Sequence, residues 1–205
     1  MKRKLSLIFA LIVWFAIITQ YFLFMEIRIV SALDLSIRFF SYFTIQTNLL
    51  IALILSYHAV IPNETSDKKF NKAGILTALT VFITVVGAVY QIMLRPIWDP
   101  KGMFRLADEL LHSLIPLMFI AYWYKFEEHH KVDYRQIAYW LLFPLGYLIY
   151  TIIHGYYSGY YPYPFVNVSE IGMERVLLNS LMLLFVFIFL SMTYIFIGKR
   201  KRNEN

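Results

Sequence analysis

Residues 5–25 read LSLIFALIVWFAIITQYFLFM, an apolar run without a single charged residue. About 20 apolar residues rising 1.5 Å each match the hydrocarbon core of a bilayer, which is about 30 Å thick. Three basic residues, Lys2, Arg3 and Lys4, stand directly before the run. The run is long and lacks a small-residue cleavage site, so it is interpreted as a retained membrane span rather than a signal peptide.

The composition extends this interpretation to the whole chain. Of 205 residues, 60% are hydrophobic and only 16% are charged, whereas soluble domains carry roughly 25% charged residues. The apolar residues gather into six runs, which predict an all-α membrane protein with six transmembrane helices in a single domain, residues 1–205. The predicted spans are Leu5–Met25, Phe39–Ile61, Ala73–Leu94, Leu106–Trp123, Ile137–His154 and Val176–Gly198.

The basic residues predict the orientation of these spans. Thirteen of the 19 Lys and Arg residues fall on the side that holds both chain ends. Cytoplasmic loops carry the excess of Lys and Arg, so both termini are predicted to be cytoplasmic in a multi-pass protein of the cell membrane. Topology thus explains the net charge of +6, and no nucleic-acid partner is predicted.

Polar residues within the spans crowd toward the predicted outer leaflet. Such residues normally face the interior of a helix bundle, where they act as hydrogen-bonding contacts or mark a functional site. Asp108, Glu109 and His112 lie within two helical turns of the fourth span, and three ionisable groups so close together favour a site. Further candidates are Asn48, Gln91, His154 and Arg175, each of which could equally be structural. His58, His129 and His130 are expected to be solvated at the cytoplasmic face.

The motifs exclude several chemistries. The chain has no cysteine, and it contains no HExxH, Walker or dinucleotide-binding motif, so no metal and no cofactor are predicted. A hydroxyl with a neighbouring base remains possible. Thr44 and His112 lie at similar depths in the second and fourth spans, where His112 could deprotonate Thr44 and Asp108, one turn earlier, could orient the imidazole. Asn48 or Gln91 could donate to an oxyanion.

Four segments of the chain carry a resemblance to known proteins. They read FSYFTIQTN at 40–48, LRPIWDP at 94–100, LADELLHS at 106–113 and YPYPF at 161–165. With them the chain resembles, over nearly its whole length, a bacterial family of small six-helix membrane proteins. That family is similar to the animal androgen-induced membrane hydrolases, which cleave fatty acid esters of hydroxy fatty acids with a Thr nucleophile and a His. The resemblance implies Thr44 as nucleophile and His112 as its partner, with Thr47 as a rival nucleophile.

Three functional hypotheses follow. The first is a membrane hydrolase of long-chain lipid esters, with Thr44 and His112 in the catalytic roles and acyl chains entering from the outer leaflet. The second is a lipid-binding or transport protein without catalysis, in which Asp108, Glu109, His112 and Arg175 bind a head group or relay protons. The third is a partner subunit without a site of its own. A Thr–His pair in hydrogen-bond reach favours the hydrolase, whereas a polar path through both leaflets favours transport.

Overall fold

The computed structural model describes residues 1–61 and 72–202, and every element formed by these residues is helical. They form two compact units, residues 1–131 and residues 132–205. The last three residues of the second unit and the predicted cytoplasmic loop at 62–71 lie outside the described part of the chain.

The first unit holds six α-helices, some of which are joined by short helical turns of other types. The α-helices are α1 (Lys2–Glu26), α2 (Ala32–Phe40), α3 (Phe43–Val60), α4 (Ile75–Val89), α5 (Met103–Glu109) and α6 (Ile115–Phe126). Two π-helical turns occupy Tyr90–Leu94 and Leu110–Leu114, and 3₁₀ turns occupy Arg95–Ile97 and His129–Lys131.

The second unit holds three further α-helices. Its elements are a 3₁₀ turn at Tyr134–Gln136, α7 (Ile137–Trp140), α8 (Leu142–Ser158), a 3₁₀ turn at Pro164–Val166 and α9 (Val168–Arg202). The last helix is broken at Gly172, whose φ of 78° lies in the left-handed region that glycine adopts without strain.

Five helical segments of the described chain are long and apolar enough to cross a membrane. They are Lys2–Glu26, Phe43–Val60, Ile75–Ile97, Tyr134–Ser158 and Val168–Lys201. These segments confirm the prediction of an all-helical chain with apolar helices of membrane-spanning length. The segment that corresponds to the predicted fourth span runs from Met103 to Phe126 and is divided by the π turn.

The second predicted span begins later than the sequence indicated. Hydrophobicity predicted one helix from Phe39, but α2 ends at Phe40 and α3 begins at Phe43. At the break the Ser41 hydroxyl donates to the Arg38 carbonyl at 2.6 Å, and Tyr42 is extended, with ψ 129°. Because of this break, Thr44 lies in the first turn of α3 rather than in mid-helix.

At its N-terminal end, α4 is capped by a carboxylate from another helix. Glu127, just beyond the end of α6, accepts hydrogen bonds from the backbone N–H of Gly74 at 3.2 Å and of Thr77 at 2.8 Å, and from the Thr77 hydroxyl at 2.8 Å. These donors are among those that a helix N-terminus leaves without intrahelical partners. Since Trp123 also donates to Thr77 Oγ1, α4 and α6 are tied together at this end.

A buried polar group lies at the opposite end of α3 from Thr44. Tyr122 OH is 2.9 Å from His58 Nδ1 and 2.7 Å from Ser6 Oγ, which itself donates to the Lys2 carbonyl. His58 is only 7% exposed, so the expectation that it is solvated was wrong. It arose because a histidine near the end of a hydrophobic run gives no sign of which face of the helix it occupies.

Candidate functional site

Thr44 and His112 meet inside the first unit. Thr44 Oγ1 lies 3.4 Å from His112 Nε2, and the Thr44 side chain is largely buried at 7% exposure. The predicted proximity of the two side chains is therefore confirmed. A separation of 3.4 Å is at the long end for a hydrogen bond, as is common for catalytic pairs without substrate.

The other ring nitrogen of His112 is fixed by Asp108, one helical turn earlier. His112 Nδ1 lies 2.9 Å from the Asp108 carbonyl oxygen and 3.2 Å from Asp108 Oδ1. The carbonyl oxygen is an acceptor, so Nδ1 carries the proton and donates to it, and the carboxylate lies within ion-pair distance of the same nitrogen. This tautomer leaves a lone pair on Nε2, which faces the Thr44 hydroxyl and can accept its proton.

Tyr90 completes the environment of the imidazole, and sequence reasoning missed it. Its ring stacks on that of His112 with centroids 4.2 Å apart and an interplanar angle of 14°. Its hydroxyl donates to Asp108 Oδ2, so the carboxylate is bound through both oxygens. Tyr90 is 3% exposed and Asp108 is 6% exposed. A buried carboxylate requires such partners, because an unpaired charge in an apolar interior is costly.

The two π turns explain how Tyr90 and His112 come to face each other. Each turn ends two residues before a proline. The N–H of Arg95 bonds the Tyr90 carbonyl just before Pro96, and the N–H of Ile115 bonds the Leu110 carbonyl just before Pro116. Proline has no N–H to bond the carbonyl four residues earlier. Just before the proline, the helix instead forms a wider turn in which an N–H bonds the carbonyl five residues earlier. The widened turns change the rotation of the side chains that they carry.

A glycine allows α4 to pack closely against the second of these turns. A Cβ built on Gly87 would lie 3.2 Å from the backbone oxygen of His112 and 3.4 Å from the Pro116 ring. Any larger residue at this position would have to displace the turn that holds His112. In the sequence, the only sign of this contact is that Gly87 follows Thr84 by three residues and precedes Gln91 by four, which puts the three on one helix face.

Two other candidate residues, Gln91 and Glu109, form a closed ring of hydrogen bonds with Arg95 and Ser113. Arg95 donates to Gln91 Oε1 at 2.7 Å and to Glu109 Oε1 at 2.5 Å; Ser113 Oγ donates to Glu109 Oε2 at 2.6 Å and accepts from Gln91 Nε2 at 2.8 Å. The ring joins the π turn after α4 to the helix that carries His112. Gln91 and Glu109 are therefore engaged in bracing two helices.

The remaining predicted site residues differ in their positions. Asn48 is fully buried on α3 and donates through Nδ2 to the Thr44 carbonyl at 2.8 Å. His154 and Arg175 belong to the second unit, where His154 stacks on Tyr150 with centroids 5.5 Å apart and Arg175 is exposed. Their part in the site stays a prediction. Over residues 1–61 and 72–202, no three His, Asp or Glu side chains are grouped closely enough to hold a metal ion.

In comparisons with known proteins, no family model, no curated protein and no solved structure matches this chain.

Proposed function

We propose that this protein is an integral membrane hydrolase of long-chain lipid esters, in which Thr44 is the nucleophile and His112 its general base. One observation carries the proposal: the Thr44 hydroxyl faces a histidine nitrogen whose opposite ring nitrogen is bound to a carboxylate. This arrangement of hydroxyl, imidazole and carboxylate has the geometry of a nucleophilic triad, which is recognised by roles rather than by position in the chain.

The reaction follows from the positions of the protons. His112 Nε2 takes the hydroxyl proton as Thr44 Oγ1 attacks the ester carbonyl carbon, and Asp108 stabilises the imidazolium that forms. The imidazolium then gives this proton to the departing alcohol, which leaves an acyl group on Thr44. Water releases the acid in a second step. Tyr90 holds the ring and the carboxylate in place, so neither must reorganise during the reaction.

The substrate class follows from the apolar surroundings of the site and from the family resemblance. Helices apolar enough to span a bilayer carry Thr44 and Tyr90, so an ester with a long acyl chain can approach from the lipid phase. Neither amide that the sequence suggested as an oxyanion donor is assigned that role. Asn48 Nδ2 bonds a backbone carbonyl and Gln91 Nε2 bonds Ser113.

The lipid-binding or transport hypothesis receives less support from the packing. A transport path needs polar groups through the whole depth of the bundle, yet the Thr80 and Thr84 hydroxyls of α4 donate to carbonyls of their own helix. Glu109 is paired with Arg95 rather than available to a head group. A protein that binds lipid esters without cleaving them is the outcome that would favour this hypothesis.

The experiment that tests the hydrolase proposal is labelling of the purified protein with a fluorophosphonate that carries a long alkyl chain. We expect a stable adduct on Thr44, located by peptide mass spectrometry, because only a hydroxyl activated by a base attacks phosphorus readily. Prior incubation with a long-chain ester should slow labelling. No adduct on any hydroxyl, together with no cleavage of long-chain esters, would refute the hydrolase proposal.

The orientation also belongs to the proposal: six spans with both termini in the cytoplasm. Continuous helical backbone from Met103 to Phe126 is about 36 Å long at 1.5 Å per residue. This length supports a membrane span at the predicted fourth position in spite of its charged residues. The native sequence has no cysteine, so a thiol reagent can label only the single cysteine that is introduced. In intact cells we expect an impermeant thiol reagent to label Lys101→Cys and to spare His130→Cys, and the reverse pattern would invert the topology.

A further inference from the structure

Three buried oxygen atoms of α1 and α3 have no hydrogen-bond partner in the described part of the chain. They are Thr47 Oγ1, Asn48 Oδ1 and Gln20 Oε1. Thr47 and Asn48 are 0% exposed, and Gln20 is 9% exposed. Buried polar atoms are almost always paired with protein or ordered water, so three unpaired oxygens in one region indicate a site for a ligand.

The register of α1 and α3 places the three residues at neighbouring levels of the two helices. Thr47 and Asn48 follow Thr44 by one helical turn, and the amide of Asn48 is held against the Thr44 carbonyl. The antiparallel helices α1 and α3 are joined by Arg3 to the Ala59 carbonyl and by Trp14 to Ser56. Counted along the two helices from the first contact, Gln20 lies opposite position 42; counted from the second contact, it lies opposite position 50. Thr47 and Asn48 lie between these two positions.

The chemistry of the three atoms specifies the ligand. The amide oxygens of Asn48 and Gln20 only accept hydrogen bonds, and the Thr47 hydroxyl can accept or donate. The matching ligand is therefore a hydrogen-bond donor, and a neutral O–H group suits a site with no charged member. A buried water typically makes about three hydrogen bonds, which equals the number of unpaired atoms.

The site formed by the three unpaired oxygens, here called the chamber, is followed along both helices by buried apolar residues. One turn beyond Thr47 on α3 stands Ile51, one turn before Gln20 on α1 stands Ile17, and beyond the His112 turn stands Ile115; all three are buried. A polar ligand gains no hydrogen bonds among these side chains. We therefore expect it to enter from the level of Thr44 and His112.

We propose that Thr47, Asn48 and Gln20 bind the O–H group of a hydroxylic ligand, and that this ligand is the water that hydrolyses acyl-Thr44. The proposal rests on the hydrolase function. One of the two water protons turns from an amide oxygen to His112 Nε2, which takes it as the water oxygen attacks the acyl carbon. The bond between that carbon and Thr44 Oγ1 then breaks, the acid leaves, and the proton passes from Nε2 to Thr44 Oγ1. In an apolar bundle, such a chamber keeps the second reactant beside the intermediate.

Kinetics of Thr47→Val test the chamber, because valine matches the shape of threonine without its hydroxyl. With p-nitrophenyl palmitate, stopped-flow measurement should show the same initial burst as the native protein, followed by steady turnover about 10-fold slower, since only the ordered water is lost. The acyl group should accumulate on Thr44. Thr47→Ser should retain native turnover. The matched control is Thr80→Val, which removes an equally buried hydroxyl that bonds its own helix, and it should leave both phases unchanged.

The substrate's own hydroxyl is the second possible source of the O–H group, and 1-monopalmitoylglycerol distinguishes it. If the chamber holds water, Thr47→Val slows turnover of both esters. If it holds the glycerol hydroxyl, kcat/KM falls for monopalmitoylglycerol alone. Both results support an O–H site beside Thr44. Identical kinetics of Thr47→Val and Thr80→Val with both esters would overturn it.

A crystal structure of the protein in a lipid phase gives a measurement that needs no activity. We expect electron density within hydrogen-bond distance of Thr47 Oγ1 and Asn48 Oδ1 in the native protein and in Thr80→Val, and its loss in Thr47→Val. If the native protein cleaves no ester, the hydrolase function fails and this density alone decides whether the chamber exists. Direct pairing of the three oxygens with other protein groups would overturn the chamber.

Discussion

Replacing Thr44 by alanine is expected to reduce cleavage of a long-chain ester by about 10³-fold or more, because triad enzymes lose nearly all turnover without the nucleophile. The fold should survive the change. Thr44 is in the first turn of α3 and almost buried, and loss of a hydroxyl and a methyl leaves only a small cavity. Ester turnover and thermal unfolding, both in detergent, measure the two effects separately.

Thr80→Ala is the matched control for this variant, since it removes a fully buried threonine hydroxyl from α4. It should change the melting temperature as much as Thr44→Ala and should leave ester turnover unchanged. Full activity of Thr44→Ala would show that Thr44 is not the nucleophile. If the fluorophosphonate adduct then appeared on Thr47, the hydrolase function would stand with the rival hydroxyl.

Depth along a helix is the part of the site that the sequence predicts well. Residue counts from the span ends place Thr44 and His112 at similar depths, because every helical residue advances by nearly the same 1.5 Å. The error in the start of α3 moved Thr44 toward the helix end without taking it away from His112. The helical class and the approximate span positions follow for the same reason, since apolar runs of this length have few other stable environments.

Rotation about a helix axis is much less predictable, and Tyr90 was missed for this reason. A uniform step of 100° places Thr77, Thr80, Thr84, Gly87 and Gln91 on one face of the third span and leaves Tyr90 outside it. The π turn at Tyr90–Leu94 changes that step where it matters. Pro96 and Pro116 are the cause that the sequence shows. A proline indicates where the helical hydrogen bonds are interrupted, but it does not indicate which alternative turn the backbone adopts. Which side chains form hydrogen bonds with each other, such as Gln91 with Ser113, depends on helix packing that a single sequence does not reveal.

Replacing Asp108 by asparagine is expected to lower kcat by about 10²- to 10⁴-fold while leaving KM nearly unchanged. The Tyr90 hydroxyl should keep its acceptor by bonding the amide oxygen, which turns the amide nitrogen toward His112 Nδ1. Two donors would then face each other. The backbone carbonyl of Asp108, 2.9 Å from Nδ1, still accepts the Nδ1 proton, so the tautomer should persist, and kcat falls because a neutral amide does not stabilise the imidazolium. Steady-state kinetics and ¹⁵N chemical shifts of His112 measure activity and tautomer on the same sample.

The surface carboxylate Asp34 is the control for this charge change. It pairs with Arg38 at 2.8 Å on α2 and is partly exposed, so Asp34→Asn should retain native kcat and the native ¹⁵N shifts of His112. Native kcat in Asp108→Asn would remove Asp108 from the mechanism. A large drop in kcat with the proton moved to Nε2 would instead assign Asp108 to setting the tautomer.

Tyr90→Phe separates the stacking of Tyr90 on His112 from its hydrogen bond to Asp108. It should lower kcat less than Asp108→Asn does. Phenylalanine keeps the ring stacked on His112 but no longer donates to Asp108, so the carboxylate is held only by its own helix and the imidazole. A loss in kcat of about 10-fold is expected, with KM unchanged, since one hydrogen bond that orients a catalytic group is removed. The Nδ1–H tautomer should persist, because Asp108 still accepts from that nitrogen.

Tyr122→Phe provides the matched comparison at the other end of α3. Tyr122 is as buried as Tyr90, and its hydroxyl also bonds a polar network that includes a histidine, His58. Both variants lose a buried phenolic hydroxyl and should unfold at similarly reduced temperatures, yet only Tyr90→Phe should lower kcat per folded molecule. Equal losses of kcat would mean that the hydroxyls act through stability alone, and Tyr90 would then be a structural residue with no part in aligning Asp108 and His112.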